Sequence, residues 1–412
     1  MQVTRRWVAL SGAAALVAGC SGGSGGSAVQ IEEPALRPQP NPRYDAWVES
    51  FYNRATSRGI TRATLDAGFR NAGYLPGVVE RDRNQTEFSR SLEDYLAIVA
   101  SPEKVAAGRS NYQSRSKLLS EIENRYGVPA NVVTAVWGME SNYGARRGNI
   151  PVISATSTLA YDGRRGEFFE KQLISALKII QRGDVPASRL VGSWAGAMGH
   201  TQFIPTTFEA YAVDFRGDGR RDIWSDDPTD GLASAAAYLA KSGWKRGHLW
   251  GLEVRIPSGF NTSVAGRGNR RSVASWTSIG VQNAKGGRIP DFGSAALLLP
   301  SGASGPAFLV FRNFDAILRY NNSTNYGIGV GYLSDRIAGA GPLAARFPPD
   351  KYGLTIRDRQ EIQSRLTAKG FDTGGSDGVI GPKTEAAISA YQSQAGLAVT
   401  GRPSAALLTS LR

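Results

Sequence analysis

A glutamate within an apolar helix pattern is the strongest chemical signal in the sequence. It lies in the run Val132 to Gly144, where four residues spaced by three and four share one helix face: Val133, Val136, Trp137 and Glu140. Desolvation on such a face raises the pKa of a carboxyl group, which suits a general acid near neutral pH. We expect Gly144 to end this helix and leave Glu140 where a cleft can reach it. An ordinary ion-paired glutamate is the alternative that position alone leaves open.

A second run, Gly192 to Phe208, combines small residues with an amide and aromatic rings. Glycines allow the backbone to approach a ligand closely, and the amide of Gln202 can hydrogen-bond an acetamido group or a hydroxyl. The run therefore indicates a binding loop that approaches its ligand closely.

An acidic loop follows at residues 214–222. It has Asp at positions one, five and nine and Gly at position six, as in an EF-hand calcium loop, but Arg216 occupies position three. Two interpretations stay open, a calcium site or an internal ion pair made by Arg216. The candidate calcium ligands are Asp214 and Asp218, then Asp222 or Asp230.

Composition excludes several other chemistries. The 412 residues include one cysteine, Cys20, and two histidines, His200 and His248. An internal disulfide and a Cys/His zinc site are therefore impossible, and a Ser-His-Asp triad would need one of these two histidines. The net charge of +13 suits nucleic acid, acidic lipid or an anionic glycan, and does not choose among them.

Four motifs in one order carry a resemblance to a known family. They are 140–144, 192–208, 211–215 and 319–326, and together they resemble the membrane-bound lytic transglycosylase B family of glycan-cleaving enzymes. The likeness runs from Tyr44 to Ile337. It implies that Glu140 is the single catalytic acid and later the base. It also implies a set of sugar-holding residues: Ser193, Gln202, Tyr238, Tyr320, Asn321, Tyr326 and, in less similar surroundings, Tyr95.

The resemblance carries further expectations. Arg164 and Arg165 match a basic pair that suits lactyl or peptide carboxylates, and the family has a calcium site in the acidic loop. Core packing is the alternative for each aromatic residue, and a solvated face is the alternative for the arginines.

The implied reaction is a cleavage of peptidoglycan without water. Glu140 protonates the oxygen between N-acetylmuramic acid and N-acetylglucosamine, then accepts the proton of the muramoyl C6 hydroxyl, which closes a 1,6-anhydro ring. This chemistry requires no cofactor. The competing predictions are a lysozyme-like hydrolase and a non-catalytic lipoprotein that tethers peptidoglycan. Nucleic-acid binding is disfavoured because the basic residues form no concentrated run.

The elements that must position these residues are mainly helical. Helix patterns cover 47–55, 61–71, 111–126 and 167–181, and a Gly/Ser/Asn-rich part between 251 and 308 carries short alternating pieces such as 252–256. We predict a mainly α (α+β) fold, with a lysozyme-like helical catalytic domain at 44–340 that includes a small irregular β part.

A linker at 341–353 and a three-helix domain at 354–412 are predicted to follow. The three faces carry apolar residues at helical spacing: Ile362 and Leu366; Thr384, Ile388, Tyr391 and Ala395; Leu407, Leu408 and Leu411. The turn at 377–382 and its surroundings resemble the peptidoglycan-binding domain of wall hydrolases.

The N-terminus carries an export pattern. Arg5 and Arg6 precede an apolar stretch that ends in Ala18-Gly19-Cys20, which resembles a bacterial lipobox. We predict a signal peptide at 1–19, a lipidated Cys20 and a Gly/Ser/Pro-rich tether at 20–43. The expected protein is a monomeric outer-membrane lipoprotein that faces the periplasm.

Overall fold

The computed structural model describes residues 33–84 and 90–412. The predicted signal peptide, Cys20 and the first part of the tether lie outside the described residues. The described chain forms two compact units. The first unit holds 33–84 and 107–244, and the second holds 90–106 and 245–412.

Helices dominate the described chain. In chain order their bounds are α1 Pro42–Thr56, α2 Arg62–Phe69, α3 Pro76–Arg83, α4 Leu92–Val99, α5 Pro102–Ser114, α6 Ser116–Tyr126, α7 Ala130–Ser141, α8 Val152–Asp162, α9 Gly166–Arg182, α10 Pro205–Tyr211, α11 Thr229–Lys241, α12 Val273–Ser278, α13 Arg312–Ile317, α14 Thr324–Ile337, α15 Ile356–Ala368, α16 Pro382–Gln394 and α17 Ala405–Leu411.

The strands form two small antiparallel sheets. Their bounds are β1 Ile150–Pro151, β2 Val191–Gly192, β3 Gly251–Arg255, β4 Arg270–Ser272, β5 Gln282–Asn283, β6 Ser294–Leu298 and β7 Ala307–Val310. In the first unit β1 pairs with β2, and in the second unit the order is β4-β6-β7-β3-β5. The predicted mainly α fold with a small β part is confirmed.

The core of the first unit is built around α8, which is buried along nearly its whole length. Leu159 on this helix packs with Leu75 and Val78 at the start of α3 and with Phe169 on α9. A helix so enclosed must satisfy its own polar side chains. Ser157 does so by bonding the Tyr44 hydroxyl at 2.7 Å.

One predicted helix is divided in two. The pattern at 111–126 predicted a single helix, but α5 ends at Ser114 and α6 begins at Ser116. Arg115 leaves the helical conformation between them, with φ −116° and ψ 20°. Its guanidinium lies over the Trp137 ring, 5.2 Å from the centroid. A cation–π contact with α7 therefore accompanies the break.

The C-terminal helices α15, α16 and α17 share one apolar core. Ile362, Leu366, Ile388 and Leu411 are its buried centre. A capping box formed by Thr355 and Asp358 begins α15. The predicted three-helix unit is confirmed, except that Ala395 is exposed and caps α16 instead of joining the core.

Candidate active site

The end of α7 sets the position of Glu140. Val133, Val136 and Trp137 are buried, as predicted, and Glu140 in the last turn is half-buried. The helix ends at Ser141, three residues before the predicted Gly144. Glu140 thus stands where the buried helix meets the surface.

A left-handed turn causes this early end. Asn142, Tyr143 and Gly144 all have positive φ, at 51°, 58° and 87°. The Tyr143 ring folds back over Gly138, where an added Cβ would lie 2.6 Å from the ring. Burial raises the pKa of the Tyr143 phenol. Backbone strain of this kind costs free energy and persists only where surrounding contacts hold it in place. Here the contact between the Tyr143 ring and Gly138 holds it.

His200 joins the loop at 192–203 to this turn. Its backbone carbonyl accepts the Ser141 hydroxyl at 2.6 Å, and its Nδ1 accepts the Trp137 indole N–H at 3.1 Å. Its Nε2 lies 2.8 Å from the Ser225 carbonyl and donates to it. Burial, together with the charges of Arg147 and Arg115, lowers the pKa of His200. The geometry therefore requires a neutral imidazole with its proton on Nε2.

Gln202 lies in the same loop in a strained conformation, with φ 51°. Its side-chain nitrogen donates to the carbonyls of Arg147 and Gly199, at 3.0 and 2.9 Å. The Arg147 guanidinium in turn donates to the carbonyls of Trp224 and Ser225. Both hydrogen bonds use the amide nitrogen of Gln202. They orient the amide oxygen without using it as an acceptor.

Ser193 shapes the loop from within. Its hydroxyl oxygen accepts the backbone N–H groups of Ala195 and Ala197, at 3.3 and 3.0 Å. Its neighbour Gly192 has no room for a Cβ, which would lie 2.3 Å from the Ala197 carbonyl oxygen. The hydroxyl proton of Ser193 stays available for a ligand while the oxygen holds the turn.

Tyr238 on α11 is half-buried against two rings. Its centroid lies 4.7 Å from that of Tyr211 and 5.7 Å from that of Phe203. The contacts with Tyr211 and Phe203 fix the orientation of the Tyr238 ring, which supports a packing role. Part of the Tyr238 surface remains exposed.

Four predicted sugar-holding residues belong to the second unit. Tyr95 lies on α4 and is half-buried, as are Tyr320 and Asn321 just before α14. Tyr326, in the first turn of α14, is only 5% exposed, so its ring is a core residue. α4 is tied to α14 by the Asn325 amide, which donates to the Arg90 carbonyl at 3.1 Å.

Arg164 and Arg165 have a structural partner. Both bond the buried carboxylate of Asp82 on α3, and Arg164 also bonds the Asp82 carbonyl at 2.6 Å. Burial alone would raise the pKa of Asp82, but the two guanidinium groups outweigh it and hold that pKa below its usual range. The arginines therefore neutralise a carboxylate of the protein, and their predicted binding of substrate carboxylates stays a prediction.

The acidic loop is closed by its own hydrogen bonds. Asp214 accepts the backbone N–H groups of residues 217, 218 and 219, and Asp230 accepts those of 215 and 222. Asp222 accepts the N–H of 224, and Asp218 that of 220. Arg216 pairs with Glu121 at 2.5 Å.

This arrangement bears on the two interpretations of the loop. Among the described residues, Asp214, Asp218, Asp222 and Asp230 included, no three carboxylate, histidine or cysteine side chains converge as metal ligands. A calcium site needs six to eight oxygens around one point. The Arg216–Glu121 pair supports the ion-pair interpretation, with the difference that Arg216 pairs with α6 and not with the loop itself, and the calcium site stays a prediction.

Sequence reasoning missed the residues that hold the site together. His200, Trp137 and Arg147 were assigned no site role, although His200 is one of only two histidines and lies inside the binding-loop run. The rarity of histidine in the sequence was the signal that could have identified His200.

Fold and site together define an enzyme that cleaves glycosidic bonds with a lysozyme-like helical domain. A family profile described as transglycosylase SLT domain matches residues 43–335, and one for a peptidoglycan-binding domain matches 356–411. The chain therefore belongs to the transglycosylase SLT family. The prediction of a peptidoglycan lytic transglycosylase is confirmed.

Individual relatives agree with this assignment. The chain is 27% identical over 314 residues to membrane-bound lytic murein transglycosylase B of Escherichia coli K12, covering 72% of this chain and 83% of that protein. It is 48% identical to SltB3 from Pseudomonas aeruginosa, solved in complex with NAG-NAM-pentapeptide, with a TM-score of 0.73, covering 90% of this chain and 99% of that chain. Slt35 from Escherichia coli in complex with calcium is 26% identical, with a TM-score of 0.61, over 75% of this chain and 98% of that chain.

The ion pairs of Asp82 with Arg164 and Arg165 yield a stability prediction. We expect Asp82→Asn to lower the free energy of unfolding at pH 7 by about 2 kcal/mol, less than for a fully buried pair because Arg164 is 47% exposed. A carboxylate with a lowered pKa stabilises the fold above its unfolded pKa of about 3.9 and loses this contribution as the pH falls through its folded pKa. Urea unfolding at pH 7 and at lower pH measures the difference from wild type, which should shrink in acid.

The matched control is Asp66→Asn, which breaks the exposed pair with Arg62. Its effect should be within about 0.5 kcal/mol at either pH. An equal effect of the two substitutions would contradict a special role for Asp82.

Proposed function

We propose that the protein cleaves the β-1,4 bond between N-acetylmuramic acid and N-acetylglucosamine and forms 1,6-anhydro-N-acetylmuramic acid. Glu140 is the proposed acid and base. One observation carries the assignment. The half-buried Glu140 adjoins Ser141, whose hydroxyl bonds the His200 carbonyl in the Gln202 loop. The carboxyl group and the binding loop are thus fixed to the same turn.

The chemistry follows from one carboxyl group acting twice. Glu140 donates its proton to the glycosidic oxygen, and the bond from that oxygen to the muramoyl C1 breaks. The resulting carboxylate then accepts the proton of the C6 hydroxyl as its oxygen bonds C1. An intramolecular hydroxyl needs no second carboxylate to activate water, in contrast to hydrolases. The steps exchange one C–O bond at C1 for another and transfer two protons without any change of oxidation state, so they require no cofactor.

His200 cannot replace Glu140 in these steps. Its Nδ1 accepts from Trp137 and its Nε2 donates to Ser225, so both ring nitrogens are engaged within the protein. A buried imidazole with a lowered pKa is a poor proton donor at neutral pH. This supports Glu140 as the proton carrier and gives His200 a positioning role.

Each unit, taken by itself, carries residues proposed to contact the substrate. In the first unit, Gln202 offers its amide oxygen, Ser193 its hydroxyl proton and Tyr238 a ring edge. In the second unit, Tyr95, Tyr320 and Asn321 are half-buried and offer surface to sugars. The complexes of SltB3 with NAG-NAM-pentapeptide and with NAG-anhNAM-pentapeptide support the same substrate and product class for this chain.

Glu140→Gln tests the proposal. Glutamine keeps the size of the side chain but donates no proton, so release of soluble fragments from purified sacculi should fall by about 100- to 10,000-fold. Glu49→Gln, an exposed change on α1, is the control and should keep full activity. Mass spectrometry of the wild-type products should find anhydro-muramic ends.

Three outcomes would contradict the proposal. Wild-type products heavier by one water would indicate a lysozyme-like hydrolase. A Glu140→Gln variant as active as the control would remove Glu140 from the chemistry, and a wild-type protein that binds sacculi without releasing fragments would indicate a tethering lipoprotein.

The proposed location is the periplasmic face of the outer membrane, where the protein acts as a monomer attached through a lipid on Cys20. The lipobox-like sequence at 16–20 supports this, as does the membrane-bound relative in Escherichia coli. Within 33–84 and 90–412, no helix combines the length and the apolar character needed to cross a bilayer.

Cys20→Ser tests the anchor. Without a thiol the chain cannot be lipidated, so the variant should leave the membrane fraction and appear in the soluble periplasmic fraction. Cell fractionation with immunoblotting measures this, and Ser21→Ala is the control that should stay with the membrane. A Cys20→Ser variant that remains in the outer membrane would contradict lipid anchoring.

A further inference from the structure

A buried ion cluster surrounds Arg359 on α15, the first helix of the peptidoglycan-binding domain. The Arg359 side chain is only 4% exposed. Its terminal nitrogens bond Glu93 at 2.7 Å, Asp94 at 2.9 Å and Asp350 at 2.8 Å. Its Nε donates to the Gly378 carbonyl at 2.8 Å. One guanidinium thus has partners on three separate segments of the second unit.

Two of these partners belong to the transglycosylase domain. Glu93 and Asp94 form the acidic first turn of α4, and Tyr95 is the next residue. Two adjacent carboxylates repel each other, and Glu93 is nearly buried, so a cation between them is needed to hold both in place. That cation comes from the peptidoglycan-binding domain.

The predicted linker at 341–353 is also held. The buried carboxylate of Glu253 on β3 accepts the backbone N–H groups of Ala344 and Ala345, both at 2.8 Å. Asp350 accepts the N–H groups of Tyr352 and Leu354 while it bonds Arg359. The segment is therefore anchored at both ends, and the C-terminal domain is fixed to α4 rather than hanging on a loose tether.

Another arginine of the same helix behaves differently. Arg365 pairs with Glu361 of its own helix, and both side chains are about one third exposed, at 38% and 32%. Such a pair stays hydrated and contributes little. A buried planar guanidinium with several fixed acceptors instead imposes one geometry on all of them.

We propose that Arg359 is a positioning residue for the transglycosylase reaction. By binding Glu93 and Asp94 it fixes α4 and therefore Tyr95, so the peptidoglycan-binding domain helps to form the sugar-binding surface in addition to holding the wall. This rests on the proposed function in one respect, that Tyr95 contacts the glycan.

The experiment uses the full chain and a soluble tetrasaccharide of alternating N-acetylglucosamine and N-acetylmuramic acid. Arg359→Met should raise the KM for this substrate by about ten- to a hundredfold with a much smaller change in kcat, because binding geometry changes and the acid does not. Co-sedimentation with sacculi should be unchanged. Arg365→Met, the matched control, should leave KM, kcat and co-sedimentation unchanged.

A second variant approaches the cluster from α4. Glu93→Gln with Asp94→Asn removes the two charges on α4 that Arg359 binds and leaves its bonds to Asp350 and Gly378 in place. It should raise KM in the same way, and it carries the test if Arg359→Met fails to fold by circular dichroism. Ethylguanidinium chloride added to Arg359→Ala should restore KM towards wild type, which general destabilisation does not predict.

An unchanged KM in correctly folded variants would overturn the proposal, as would a loss confined to sacculus binding. Failure of the proposed function is distinguishable from either result. In that case the wild-type protein itself would form no anhydro products, or Glu140→Gln would remain active.

Discussion

The arrangement of the first unit depends on one neutral imidazole. His200 accepts the Trp137 N–H on Nδ1 and donates from Nε2 to the Ser225 carbonyl, while its backbone carbonyl accepts the Ser141 hydroxyl. These bonds join α7, the binding loop and the segment after the acidic loop. A second proton on the ring would face the indole N–H and break the first bond. Burial and the nearby arginines oppose that proton, so the network stabilises itself.

The network explains why the loop tolerates strained backbone. Asn142, Tyr143 and Gln202 have left-handed φ values, which cost free energy unless neighbouring contacts compensate. Gly144 packs so closely on the imidazole that a Cβ would lie 2.7 Å from Cε1. The turn at 142–144 and the loop at 192–203 thus fix each other's conformation. Glu140 is held rigidly where the two meet.

Local sequence patterns predicted the periodic elements, but they could not predict contacts between residues that are far apart in the chain. Residues 167–181 fall within α9, and the helices at 362–411 were found by their apolar faces. Glu140 was found because it is a carboxylate on the apolar face of α7. By contrast, Trp137 and His200 are 63 residues apart, Asp82 and Arg164 are 82 apart, and Glu93 and Arg359 are 266 apart. No helical or strand period relates such residues, so the sequence patterns did not show that Arg164 pairs with Asp82 or that Arg359 pairs with Glu93. The end of α7 was missed for a related reason, since the packing of Tyr143 on Gly138 decides it.

The protonation state of His200 is the most direct test of this account, and long-range proton–nitrogen NMR of the imidazole measures it. We predict a single neutral tautomer with the proton on Nε2, which is protonated further only at a pH below the usual histidine pKa of about 6.5. Titration at the usual pKa, or a mixture of the two tautomers at neutral pH, would contradict the claim that this ring organises the site.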